Sequence, residues 1–403
     1  MAYNEAVNGT GNETENVETV VHARHYRSGE PLRLTLQGGR IAAIEPLVAA
    51  AAETARLPLV APGFVDLQIN GFAGIDINAD GGVTPDDVAR LTRLLWREGV
   101  TSYLPTIITN SPQAITEALR AIVRACRDDA MIDATIAGIH LEGPYISPQD
   151  GARGAHNAAY VAAPDWEQFQ RWQEAAEGRI RLLTMSPEWE GAPAFIAKCA
   201  ASGVVVSIGH TSATPEQIRE AVRAGASMST HLGNGSHAMQ PRHANYIYEQ
   251  LACDELQAMV IADGFHLPVS LLKVFQRAKQ QRFMLVSDAV HLAGMPPGEY
   301  ETHIGGRVVL TPEGRLHLAE HPQVLAGSAQ MLLAGVTTLV SAGLNEPADA
   351  WDLASLRPAA AFKLPAAAGL AVSAPADLVL LEWPDGELPT IVSVYKNGVA
   401  VSP

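Results

Sequence analysis

Eight short apolar runs, most of them followed by a stretch with helical periodicity, constrain the fold of this chain more than any other feature. The runs lie at 64–69, 102–107, 136–141, 180–185, 204–208, 227–231, 258–261 and 284–287. Near-continuous apolar runs of this length read as strands covered on both faces, the condition of a parallel sheet. Between them, 85–97, 112–127, 165–176, 193–201, 215–224 and 268–279 carry the spacing of amphipathic helices. Thr214-Pro215-Glu216-Gln217 is a strong start signal, with a threonine cap, proline in the first turn and glutamine three residues on. Strands alternating with helices give parallel βα units, and eight such strands predict an α/β fold, a (β/α)8 TIM-like barrel.

The two ends have another texture. Residues 17–60 and 376–398 mix apolar and polar residues in short runs between glycine turns, as short antiparallel strands do. The expected organisation is a small β-sandwich domain from residues 1–60 plus 371–403, and a barrel from 61–370. Pro62-Gly63 marks the first boundary and the Ala/Pro-rich stretch 365–375 the second. A hairpin insertion is expected near 298–320, followed by a last helix over 328–341.

Composition narrows the function classes. With 28 basic and 43 acidic residues, a formal charge of −15 disfavours nucleic acid and anionic membrane as partners. An anionic small molecule would need local cations. No run of about 18 apolar residues occurs, and residues 1–16 are polar without a signal core, so a cytoplasmic protein is expected. Cys126, Cys199 and Cys253 are odd in number and widely spaced, and read as buried small apolar residues rather than a disulfide framework or cysteine metal site.

Chemistry concentrates at the ends of the runs, in His140-Leu-Glu142-Gly-Pro144, Gly209-His210-Thr211, Thr230-His231-Leu232, Asp263-Gly-Phe-His266 and Ser287-Asp288-Ala289. A β/α barrel assembles its active site at that end of its strands. Imidazole and carboxylate suit zinc, iron or a similar divalent ion, and a catalytic site keeps three protein ligands with one open position. Glu142, His210 and His231 supply that count. Such an ion lowers the pKa of water toward neutrality and makes it a nucleophile for an unreactive carbonyl. Asp288 is placed to take a proton from the attacking water and return it to a leaving amine. His266 could polarise the carbonyl or hold the substrate. A lone histidine at a strand end is usually structural and a lone Asp there usually a helix cap, but convergence from separate strands outweighs those readings. His22, His25, His303, His317 and His321 read as surface or packing residues; His140 and His291 stay open. Many metal-dependent amide hydrolases place His-x-His on the first strand; here the positions read Gln68-Ile-Asn70, poor ligands, so one metal is expected.

From Ala61-Pro-Gly-Phe-Val-Asp66 to Ala376-Asp-Leu-Val379 the chain resembles the N-acetylglucosamine-6-phosphate deacetylases of the amidohydrolase superfamily. The most specific words are His140-Leu-Glu142-Gly-Pro144 followed by Gly154-Ala-His156-Asn157, and the Gln68-x-Asn70 variant of the first strand. The resemblance implies one divalent metal on Glu142, His210 and His231, with zinc first and iron, manganese or cobalt as alternatives, and Asp288 as acid/base. It implies substrate contacts at Gln68, Asn70, Ala155, His156, Asn234, Gly235, Asp263, His266, Leu325, Ala326 and Gly327. It also implies a homodimer in which Arg242 reaches substrate phosphate across the interface, a task suited to the guanidinium fork. The chain departs from the family in His231-Leu-Gly-Asn-Gly-Ser-His237-Ala-Met-Gln-Pro-Arg-His243, with His237, His243, Tyr246 and Tyr248 as additions, and in Leu333-Ala-Gly335, where an acidic residue is common. Loops carry specificity and strand ends carry chemistry, so these departures bear on the substrate more than on the reaction.

The first expectation is therefore hydrolysis of an N-acetyl amino-sugar phosphate, N-acetylglucosamine 6-phosphate and water giving glucosamine 6-phosphate and acetate. An amidohydrolase for another N-acyl compound or a cyclic amide is the alternative within the same chemistry. An inactive barrel serving as a binding module is the alternative from another class; it should have lost a ligand or the proton carrier, and this chain keeps them.

Overall fold

The computed structural model describes residues 4–6 (backbone only), 18–48, 50–384 and 386–402. The polar stretch with Asn8 and Asn12, and Val17, lie outside the described residues. Eight parallel strands follow one another in chain order around a ring: Phe64–Ile69, Val100–Ile108, Ile139–Glu142, Ile180–Met185, Val205–Ile208, Ala226–Ser229, Gln257–Val260 and Phe283–Leu285. The ring closes between the first and the eighth, where the Asp288 N–H donates to the Gln68 carbonyl at 3.0 Å and the Asn70 N–H to the Ala289 carbonyl at 2.8 Å.

All six residues of Phe64–Ile69 are buried, as expected of a strand covered on both faces. Val65, Leu67, Leu104, Leu182, Met228, Met259 and Met284 form one cluster in the barrel, while the opposite faces pack on the helices. In Pro85–Arg97 the buried residues Val88, Leu91, Thr92, Leu95 and Trp96 recur at helical spacing. Thr84 caps that helix by accepting from the Asp87 N–H, and Thr214 does the same for Pro215–Ala224 with Gln217, the expected capping box. Burying one such leucine stabilises the fold by roughly 1.5–3 kcal/mol, so a charge at Leu104 would break the barrel core.

Several boundaries differ from the sequence reading. The third strand begins at Ile139 rather than 136, because the helix Ala130–Thr135 ends there and Gly138 turns the chain at φ +154°. The sixth strand stops at Ser229, two residues short of His231, whose φ of +28° is incompatible with a strand. The last helix starts at Leu332, since Ser328 still bridges to Ala289. Helices at Tyr246–Ala252, Pro347–Ala354 and Leu356–Ala361 were not expected.

Both chain ends enter one further sheet, in the order Val399–Ser402, Thr390–Lys396, Leu378–Glu382, Leu59–Pro62, Thr19–His25, Pro31–Gln37, Arg40–Pro46, with Asn4–Ala6 also on Thr19–His25. The insertion is a three-stranded antiparallel sheet, Gly298–Thr302, Gly306–Leu310 and Leu316–Leu318. Cys126, Cys199 and Cys253 are free and buried. Among the described residues no helix is long and apolar enough to cross a membrane.

Candidate functional site

Each candidate ligand stands where a strand turns into the loop above it. Glu142 is the last residue of the third strand, His210 lies two residues beyond the fifth, and His231 two beyond the sixth. His210, His231 and Asp288 all have positive φ, +48°, +28° and +50°. Such backbone costs about 1–3 kcal/mol per residue and collects at functional sites, where surrounding structure enforces it. Two glycines make room: a Cβ on Gly235 would meet the His210 ring at 2.6 Å, and one on Gly154 at 3.0 Å.

The three side chains converge. Glu142 Oε1 lies 3.0 Å from His231 Nε2 and 3.2 Å from His210 Nε2, and the two Nε2 atoms are 3.0 Å apart. Among the described residues no other group brings three ligand atoms of His, Cys, Asp or Glu within 4.8 Å of one another. Their spacing approaches the roughly 3.3 Å edge of a tetrahedral ion with bonds of about 2.0 Å. The Nδ1–H of His210 donates to the Ala152 carbonyl at 3.0 Å, which leaves its Nε2 lone pair facing the centre. The donor set thus fits a divalent cation of the zinc or iron type.

Burial opposes ionisation of Glu142, but its close contacts with the His210 and His231 imidazoles outweigh it and hold the carboxyl well below the usual range. Burial likewise opposes charge on His231, and its bond to Glu142 outweighs that, lifting the imidazole to about 8. Asp288 is pushed up to about 6, chiefly by burial, with the charge on His231 opposing and that of Glu142 adding. Its Oδ1 accepts from Asn70 Nδ2 at 2.8 Å. A carboxylate that changes charge near neutrality suits proton transfer in both directions. His266 is fixed through Nδ1, 2.7 Å from Asp263 Oδ2. His156 shares a 2.9 Å hydrogen bond with Thr109 Oγ1, and burial drives its pKa down to about 3, so it is neutral.

These groups line a cavity of about 380 Å³. Glu142, His210, His231, Asp288, Asn70, Ala155, His156, Asn234, Gly235, His266, Leu325, Ala326 and Gly327 all face it. Asp263 does not, and acts on it through His266. Gln68 lies below it, wholly buried, with neither amide atom partnered. Arg242 is exposed and stands outside the lining. His140 is a buried residue beneath the site, Nε2 2.7 Å from Thr184 Oγ1, with its pKa lowered to about 4 by burial. His303, expected on the surface or in packing, lines the cavity together with Asp76, Asn78 and His291. No local signal marks Asp76 or His303: one ends a two-residue strand and the other sits in a hairpin turn. His237 bonds Tyr246 Oη through both its N–H and Nδ1, at 2.8 and 3.0 Å, while His243 and Tyr248 are exposed.

Known proteins place this arrangement. The human N-acetylglucosamine-6-phosphate deacetylase is 32% identical, over 90% of this chain and 90% of its own. The N-acetylgalactosamine-6-phosphate deacetylase of Escherichia coli O157:H7 is 32% identical, over 81% of this chain and 84% of its own. The solved N-acetyl-D-glucosamine-6-phosphate deacetylase of Mycobacterium smegmatis superposes with a TM-score of 0.81 at 30% identity, covering 94% of this chain and 99% of that one. Residues 59–401 match the amidohydrolase family. The chain belongs to that family, as a hydrolase of carbon–nitrogen bonds that resembles the N-acetylglucosamine-6-phosphate deacetylases over most of its length.

Proposed function

We propose that this protein removes the acetyl group of an N-acetyl amino-sugar phosphate, N-acetylglucosamine 6-phosphate and water giving glucosamine 6-phosphate and acetate. The observation that carries the reading is the meeting of Glu142, His210 and His231 within 3.2 Å beside a proton carrier at Asp288, in a chain similar to such deacetylases along most of its length. Glu142, His210 and His231 hold one divalent ion, zinc first. Bound there, it supplies Lewis acidity and lowers the pKa of water. Asp288, oriented by Asn70, takes a proton from the attacking water and returns it to the amine as the carbon–nitrogen bond breaks. His156 and Asp263-anchored His266 hold the acetamide and its sugar through their cavity-facing ring nitrogens. Asn234, Gly235, Ala155, Leu325, Ala326 and Gly327 shape the walls around them.

Arg242 takes the phosphate across a homodimer interface; its exposure, and that of Met239 beside it at 89%, leaves that loop free to meet a second copy. The protein is cytoplasmic in this reading. Two units, residues 1–60 with 371–403 and residues 61–370, are supported by the separate core of Val21, Leu34, Leu378 and Tyr395 in the end sheet.

The test is acetate release from N-acetylglucosamine 6-phosphate, the unphosphorylated sugar and simple N-acyl amino acids, by native enzyme and Arg242→Ala. The proposal expects preference for the phosphorylated sugar, reduced about tenfold or more in the variant through loss of a charged hydrogen bond. Turnover indifferent to phosphate removes Arg242 from the account, and turnover confined to other acyl amides removes the substrate.

A further inference from the structure

Five polar side chains of the cavity wall have no part in the chemistry above, Asp76, Asn78, His291, Thr302 and His303, and the three titratable ones form a group. Asp76 Oδ2 stands 3.0 Å from His291 Nδ1 and 3.7 Å from His303 Nδ1. Their side chains are 14%, 22% and 20% exposed, so all three are largely covered yet open to the cavity. They arrive from separate parts of the chain. Asp76 ends the strand Ile75–Asp76, which pairs with Gly71–Phe72 just after Asn70; His291 is three residues past Asp288; His303 turns the corner of the inserted hairpin.

Hydrogen bonds tie this group to Asn70, whose side chain donates to Asp288. The Gly74 N–H donates to the His291 carbonyl at 2.7 Å, the Ile77 N–H to the Asn70 carbonyl at 2.9 Å, and the Asn78 N–H to Asp76 Oδ1 at 2.8 Å. The group therefore lies on the side of the cavity where Asn70 holds Asp288. The three are not a second metal centre, since among the described residues only Glu142, His210 and His231 draw their ligand atoms that close.

The hydrogen-bonding sense of this wall is one-sided. The Asp76 carboxylate, 3.0 Å from His291 Nδ1, favours the ring proton there and leaves that ring's Nε2 as an acceptor, while His303 Nδ1 at 3.7 Å stands beyond hydrogen-bond reach. Together with the remaining lone pairs of Asp76, the wall is rich in acceptors and asks for a ligand that donates. No lysine or arginine is among the described residues lining the cavity. A phosphate dianion has no proton to give and would face the Asp76 carboxylate, whereas ring hydroxyls can donate to it. The loop carrying Arg242 follows the sixth strand, three strands away around the ring from the first.

We propose that Asp76, with His291 and His303, is a specificity subsite that reads hydroxyl groups on the amine-bearing part of the substrate, apart from whatever neutralises its anionic group. This rests on the amino-sugar reading and names which wall recognises the sugar.

The test measures kcat and KM of metal-loaded native enzyme, Asp76→Ala and His303→Ala on N-acetylglucosamine 6-phosphate and its 3-deoxy and 4-deoxy analogues. Metal content reports that each variant is folded, and His303, in a hairpin turn, is the substitution safer for the fold. We expect native enzyme to favour the full sugar over at least one analogue by about tenfold or more in kcat/KM, the scale of one hydrogen bond to a charged acceptor. In both variants that preference shrinks, with KM rising by more than kcat falls. Equal turnover of parent and deoxy sugars by native enzyme, or variants with unchanged KM and preference, overturns the subsite and leaves the deacetylase reading standing. An Asp76→Ala that tightens the phosphorylated sugar alone also overturns it, because the phosphate then sits at this wall. Native enzyme inert toward every N-acetyl amino sugar overturns both.

Discussion

Glu142, His210 and His231 are 3%, 7% and 3% exposed at strand ends, the two histidines with strained backbone, whereas Arg242 and His243 lie in solvent on the loop above the sixth strand. The first set is over-determined: a barrel strand beneath each residue, glycines packed on a ring, a carbonyl fixing a tautomer. In the second, Arg242 and His243 ride on a turn held by His237 with Tyr246 and by Asn245 Nδ2 donating to the Pro241 carbonyl. In the proposed function, the chemistry falls where packing dictates geometry and the phosphate contact where packing lets sequence vary.

Four substitutions sharpen or break that contrast. His210→Ala has the largest expected effect, loss of bound metal and of activity together, read by elemental analysis and acetate release; metal retained with normal turnover removes His210 from the site. Asp288→Asn should keep the metal and lose about 10²–10⁴-fold in kcat, the usual weight of general acid–base transfer. A variant with full metal and full rate refutes the proton carrier. Gly235→Ala drives a methyl to within 2.6 Å of the His210 ring, at a φ of +54° that glycine tolerates. About 10–100-fold weaker metal affinity is expected, as for other losses of ligand support; unchanged affinity would mean that the loop, like the rim beyond it, yields freely.

The smallest effect concerns stability. Asp66, buried at the base of the first strand, is held up at about 7 by burial, against hydrogen bonds from Ser287 and Gln68. A carboxyl whose folded pKa is raised favours folding while protonated; that contribution is whole below its unfolded value and lost as pH rises through about 7. Asp66→Asn should therefore gain stability relative to native protein between pH 5 and 8.5, by on the order of 1–2 kcal/mol. A thermal-melting difference that is flat with pH contradicts the buried charge.

The sequence made the strand ends legible because burial on both faces leaves an unbroken apolar run, and the residue after the run is then conspicuous. Glu142, His210, His231 and Asp288 were found that way. Asp76 and His303 escaped because their positions depend on a two-residue strand pairing with Gly71–Phe72 and on how an insertion folds back, neither of which leaves periodicity. The helix Tyr246–Ala252 escaped because it is short, with only Tyr246 and Gln250 buried. His140 could not be separated from Glu142 by pattern alone: alternation along the strand sets the two on the same side, and only depth distinguishes them.

The central claim is that one cation sits among Glu142, His210 and His231. Anomalous diffraction from crystals of the metal-loaded enzyme tests it most directly. The account predicts a single peak per chain, about 2.0–2.2 Å from Glu142 Oε1 and both Nε2 atoms. A peak on other residues, or metal-loaded protein with density elsewhere and full activity, would contradict it.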